Sequence, residues 1–177
     1  MSKHHLDATT VASFEAFLQK EAAGGDGYES VAKRAQTFFA EHGWEWFTKG
    51  TKADFHRRFG YVFGAYSYRL YSVQRHEQLA GLEWWVFKAN ALDCPDHAAE
   101  LGGLVLPNGH AFWEHCYPPL RPTCRCYVVG AGNEKGATRL GGIVGKPPPA
   151  SWPDFDGSYT VETLLHDVIN DNMPVDE

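Results

Sequence analysis

The residues most able to do chemistry lie between Cys94 and Cys126. Cys94 and His97 form a Cys-x-x-His motif, and Cys124 and Cys126 form a Cys-x-Cys motif after the long intervening stretch 98–123. Thiolate sulfur and imidazole nitrogen are the ligands that structural zinc takes, four to an ion, and two short chelating pairs from separate segments supply them. In a reducing compartment, clustered cysteines argue for metal more than for a disulfide framework. A Cys124–Cys126 disulfide would close a very small ring, whereas alternate residues of a strand share a face and can meet one ion. His110, His115 and Cys116 are further candidates for the fourth ligand in place of Cys94, and packed free thiols are the plain alternative. A structural zinc contributes on the order of 10 kcal/mol in peptides, enough to staple an irregular, proline-rich region.

The proline-rich "PPLRPT", residues 118–123, reads as a stiff, extended approach to a strand that carries Cys124 and Cys126. Arg125 then points to the opposite face, where a surface salt bridge is its expected role. Other chemistry finds less support. Cys116 follows His115, but adjacency in sequence does not supply the geometry that a nucleophile and its base need. "RHEQL", residues 75–79, lacks the second histidine of a zinc-protease helix, and no glycine-rich phosphate loop is present. His56, His76 and His166 read as solvated or core-satisfied histidines.

Elements that position these residues follow from periodicity. "ATTVASFEAFLQKEAA" sets Val11, Phe14, Phe17 and Leu18 at helical spacing, with Thr9 or Thr10 as cap; "GGDG" ends it. "YESVAKRAQTFFAEHG" predicts a second helix. Residues 51–79 predict a long amphipathic helix through Phe55, Phe59, Val62, Phe63, Tyr66, Leu70 and Val73, in which Gly60 and Gly64 signal only tight packing. "LEWWVFKAN" predicts a strand buried on both faces, and "GGLVLP" and "CRCYVVG" two further short strands. Residues 130–153 read as an extended Gly/Pro-rich arm, and "TVETLLHDVI" as a last helix capped by Thr160. Trp152, Phe155 and Tyr159 are candidate anchors for the tail. The fold class is therefore α+β: N-terminal helices and one long amphipathic helix packed on a small sheet, with a zinc-knuckle-like Cys/His loop region.

The totals agree with a folded chain. Hydrophobic residues make up 44% and aromatics 14% of 177 residues. A net charge of -6 makes a nonspecific phosphate-binding surface an unlikely first expectation. No stretch reaches the apolar length that spans a bilayer, and the start lacks the apolar core of a signal peptide, so a cytosolic origin without membrane contact is expected.

Residues 66–129 resemble the phage Mu F-like minor head protein family, also called the phage head morphogenesis domain. The resemblance is carried by an ordered series: Cys94-Pro95-Asp96-His97-Ala98-Ala99, the "GLVLP" strand at 103–107, His110 with Phe112 and Trp113, "YPP" at 117–119, and the closing "CRC" at 124–126. It implies a minor structural and assembly protein of a phage-like head, from a phage, prophage or gene transfer agent. Its partners would be portal or inner capsid proteins, and DNA during packaging or ejection; its location would be the virion or host cytoplasm. It implies no reaction. Many relatives carry Arg at the position of Cys94, leaving His97, Cys124 and Cys126 as the common three. The short helical front end, 1–50, and the arm with its short helix, 131–177, depart from the family pattern around a core at 51–130. Because the domain also occurs fused to toxins, the alternative is a prophage-derived metal-dependent hydrolase, such as a nuclease, using His97, His110 or His115.

Overall fold

The computed structural model describes residues 6–150 and 159–173, in which helices α1 (Ala8–Gly24), α2 (Tyr28–Glu41), α3 (Glu45–Thr48) and α4 (Lys52–Leu79) come first. Strand β1 (Trp84–Lys88), helix α5 (Pro95–Leu101), strand β2 (Val105–Pro107), helix α6 (Phe112–Cys116), strand β3 (Tyr127–Ala131) and helices α7 (Glu134–Arg139) and α8 (Val161–Asn170) follow. The architecture is α+β. Two compact units form, one from residues 6–67 with 159–173 and the other from 68–150. α4 runs through both units, and α8 returns to the first, where its apolar face joins the aromatic core.

The first unit is helical and its core is aromatic. Phe14 of α1, Phe39 of α2, Phe47 of α3, and Phe55 and Phe59 of α4 are fully buried. Phe39 stacks on Phe47 at 4.2 Å between ring centroids. Large rings of this kind dominate core energetics. α8 docks through Leu164, Leu165 and Val168, and through polar contacts in which Tyr61 donates to Asp167 at 2.7 Å and Tyr159 to the Ala65 carbonyl at 3.1 Å. Of the three tail aromatics, Tyr159 is thus an anchor on its own chain, while Trp152 and Phe155 lie outside the described residues.

Local signals at the helix ends are partly as expected. Thr160 caps α8, its side chain accepting from Thr163 N while Thr163 Oγ1 accepts from Thr160 N, a reciprocal capping box. α1 starts earlier than the sequence suggests: Asp7, not Thr9 or Thr10, is the cap and accepts from Thr10 N at 2.8 Å. A carboxylate is as good a cap as a hydroxyl, so the position set by the following apolar stripe decides. At the start of α4, Asp54 accepts from both the amide and hydroxyl of Thr51, each at 2.8 Å.

The second unit is a three-stranded antiparallel sheet in the order β2-β1-β3. Central β1 buries Trp85, Val86 and Phe87 in succession, so both faces are covered. Trp85 and Phe87 join Leu104, Leu106 and Val128 on the face that carries the cysteines. Val86 joins Val105, Ala131 and Ala137 on the other. Ala137 belongs to α7, so residues 130–150, expected to be an extended arm, instead contain a helix that covers the sheet, followed by a bridge between Leu104 and Ile143. Asn133 caps that helix, accepting from Gly136 N at 2.8 Å, a signal hidden in the Gly-rich composition. Gly130 of β3 lies opposite Trp85, where a Cβ would come within 2.5 Å of Leu82 Cδ1.

The last turns of α4 meet the sheet through polar contacts. Val73, on the expected apolar stripe, is 53% exposed, while Ser72 and Leu79 are buried. Arg75 Nε donates to the Val128 carbonyl at 3.0 Å, and Tyr68 donates to the carbonyls of Arg125 and Cys126 at 3.0 and 2.8 Å. The Arg75 bond occupies a carbonyl of β3, an edge strand that would otherwise offer it to another chain, and the Tyr68 bonds hold the segment just before it.

Phe39→Ala is expected to lower stability by about 3–5 kcal/mol, since a large buried ring leaves a cavity, whereas Thr160→Ala should cost about 1 kcal/mol. Denaturant unfolding checks both. The hydrogen bonds from the Thr51 amide and hydroxyl hold the Asp54 carboxyl below its ordinary range. Its contribution is therefore present above the unfolded carboxyl pKa and is lost as pH falls through the folded one. Asp54→Ala should show a smaller acid-side loss of melting temperature than the unmodified chain.

Candidate metal centre

Cys94 stands at the N-cap of α5, with Pro95 in the first turn and His97 three residues on. Residues three apart on a helix lie on one face, so both side chains turn the same way. Cys124 and Cys126 come from the segment just before β3, after a turn in which Cys124 N donates to the Arg121 carbonyl at 2.9 Å. The extended approach expected for residues 118–123 is instead a series of bends and turns that begins with a cis peptide between Pro118 and Pro119. The two cysteines therefore precede the strand rather than belong to it. Alternate side chains still converge there, because the stretch 124–126 has no turn within it.

The four ligand atoms of Cys94, His97, Cys124 and Cys126 lie within 4.8 Å of one another and could hold a metal ion. Among the described residues this is the only such group of three or more. All four residues are buried, His97 being 3% exposed and the cysteines at most 1%. His97 Nδ1 is 3.7 Å from Cys124 Sγ and 3.6 Å from Cys126 Sγ. A tetrahedral ion with bonds of about 2.3 Å to sulfur and 2.0–2.1 Å to nitrogen has a nitrogen–sulfur edge of about 3.6 Å. The observed separations match that edge. No disulfide joins the cysteines.

Backbone amides complete the sulfur surroundings. The Arg125 amide favours the thiolate of Cys94, the Asn90 amide that of Cys126, and the Leu120 and Cys126 amides that of Cys124. Two of these influences cross between the segments that carry the two motifs. Without a cation the thiols share protons. The Cys126 thiol donates to Cys124, which holds Cys124 far below the ordinary thiol range and Cys126 above it. Burial pushes Cys94 up.

The remaining candidates go elsewhere. His110 Nδ1 accepts from Phe112 N at 3.1 Å at the start of α6. His115 is exposed, while Cys116 is buried in the apolar cluster beneath the sheet, where burial pushes its thiol up to about 11. A nucleophile needs the opposite shift. Arg125, expected in a surface salt bridge, lies over the Tyr68 ring at 5.2 Å and donates to the carbonyls of Pro122 and Cys124. Sequence reasoning missed Asp96 and Arg121, which flank the cluster. Arg121 forks the Asp96 carboxylate with bonds of 2.9 and 3.0 Å, and Asp96 Oδ2 lies 3.8 Å from His97 Nε2. The signal was present in Asp96 between two ligands and in the one cation of "PPLRPT".

No protein-family model, curated protein or solved structure matches this chain.

Cys124→Ser is expected to abolish metal retention and lower the melting temperature; full metal content with an unchanged melting curve would remove the metal reading. Burial holds the Cys94 thiol above its ordinary range, so binding of a dication should release protons and weaken as pH falls. Calorimetric titration in buffers of different ionisation enthalpy measures the number released.

Proposed function

We propose that this chain is a minor structural and assembly protein of a phage-like head, and that its Cys/His cluster is a structural zinc site. One observation carries the reading: the Cys-x-x-His and Cys-x-Cys motifs that open and close the resemblance to the phage Mu F-like family meet at a single buried point. Three sulfurs and one imidazole nitrogen, all within 4.8 Å of one another, are a donor set for zinc. Because all four positions are filled by protein, none is kept for a water or substrate, as catalytic zinc sites require. The ion's role would be to fix the loops between β1 and β3, and with them the surface that the protein presents.

A partner in the head, portal or inner capsid, follows from the resemblance, as does contact with DNA during packaging or ejection. The hydrolase alternative gains no specific support: His110 is engaged at the start of α6 and His115 is exposed, away from the cluster that holds His97. Among the described residues no helix is long and apolar enough to cross a membrane.

The test is co-expression of the tagged chain with portal and capsid proteins of a phage-like head. Co-purification with portal or assembled heads is the expected result, and failure to associate with any head component contradicts the reading. Expression alone should be harmless to bacteria. Toxicity abolished by His97→Ala, His110→Ala or His115→Ala would replace the assembly reading with the hydrolase.

A further inference from the structure

We infer that Asp96 and Arg121 form an outer layer of the metal centre, in which Asp96 sets the tautomer of His97 and Arg121 holds Asp96 in place. The inference rests on the reading of the cluster as a zinc site. His97 turns Nδ1 toward the sulfurs of Cys124 and Cys126, so an ion held there takes the Nδ1 lone pair and the ring proton sits on Nε2. The Asp96 carboxylate lies on that side, 3.8 Å from Nε2. This is longer than a direct hydrogen bond. A negative charge facing Nε2 nevertheless favours the tautomer that leaves Nδ1 bare, and a carboxylate behind a ligating histidine raises its basicity.

Arg121 makes the arrangement specific. Its guanidinium donates NH1 to Asp96 Oδ2 and NH2 to Asp96 Oδ1, a planar fork that lysine cannot reproduce. NH2 also reaches the Asp93 carbonyl at 3.4 Å. Arg121 belongs to the segment that carries Cys124 and Cys126, while both of its partners, Asp96 and Asp93, belong to the segment that carries Cys94 and His97. One side chain therefore ties the two chelating pairs together from outside the cluster. Three thiolates and a neutral imidazole around a divalent ion leave one net negative charge; Asp96 adds a second, and the guanidinium that forks it offsets one of the two.

The competing description is an ordinary surface ion pair. Asp96 and Arg121 have side chains 52% and 39% exposed, and such pairs contribute about 0–1 kcal/mol to stability. A surface pair would leave metal affinity unchanged, which separates the two accounts. Zinc affinity of the full chain is measured by competition with a chromophoric chelator for the unmodified protein, Asp96→Asn, Arg121→Lys, and Arg57→Ala as a control in the other unit. Asp96→Asn and Arg121→Lys should each weaken zinc binding about 10–100-fold, with Arg57→Ala unchanged. Nitrogen chemical shifts of His97 in the zinc-loaded protein should show metallated Nδ1 and protonated Nε2. Affinities of both variants within about twofold of an unmodified protein that binds one zinc overturn the inference. An unmodified protein that takes up no zinc overturns the zinc reading itself. Arg121→Lys keeps the test decisive if Asp96→Asn fails to fold.

Discussion

Three thiols and an imidazole, brought by two separate segments to one point beneath the sheet, impose the constraint that organises the second unit. Grouped thiols without a cation must keep protons or repel one another as thiolates, and each arrangement leaves part of the hydrogen bonding imperfect. A dication resolves both difficulties by accepting four lone pairs at once. The amides of Asn90, Leu120, Arg125 and Cys126 favour the thiolate form of the cysteines they face.

The sheet and α4 supply the frame. β1 is buried on both faces because the Cys/His region covers one and α7 the other. The end of α4 secures the segment before β3 through Tyr68 and Arg75 rather than through an apolar stripe. The Cys-x-Cys motif is thus held on one side by α4. An irregular loop fixed in this way can display a defined surface without regular secondary structure of its own.

Much of this was legible in the sequence because it depends on local chemistry. The four clustered ligands, the aromatic helices and the β1 strand follow from residue type and spacing. Positions decided by tertiary contacts were not legible. The extended approach before Cys124 could not be told from a series of turns, because proline restricts φ but does not fix the path of the chain. α7 hid within a Gly-rich stretch, since its stability comes from packing Ala137 on the sheet and from the Asn133 cap. The change of inward face along α4, from Phe55 and Phe59 to Ser72 and Arg75, appears only once β3 presents carbonyls to that helix. Asp96 and Arg121 escaped notice because an acid and a base separated by a long loop look like two surface charges until the loop closes.

The central claim is that an ion at Cys94, His97, Cys124 and Cys126 holds the second unit together. Elemental mass spectrometry of the purified protein before and after a strong chelator, with the fold followed by circular dichroism and amide exchange, tests it most directly. The account predicts about one zinc per chain and loss of amide protection across residues 84–131 when the metal is removed, with refolding on its return. A metal-free protein with full protection over those residues would contradict it and leave the cysteines as packed thiols.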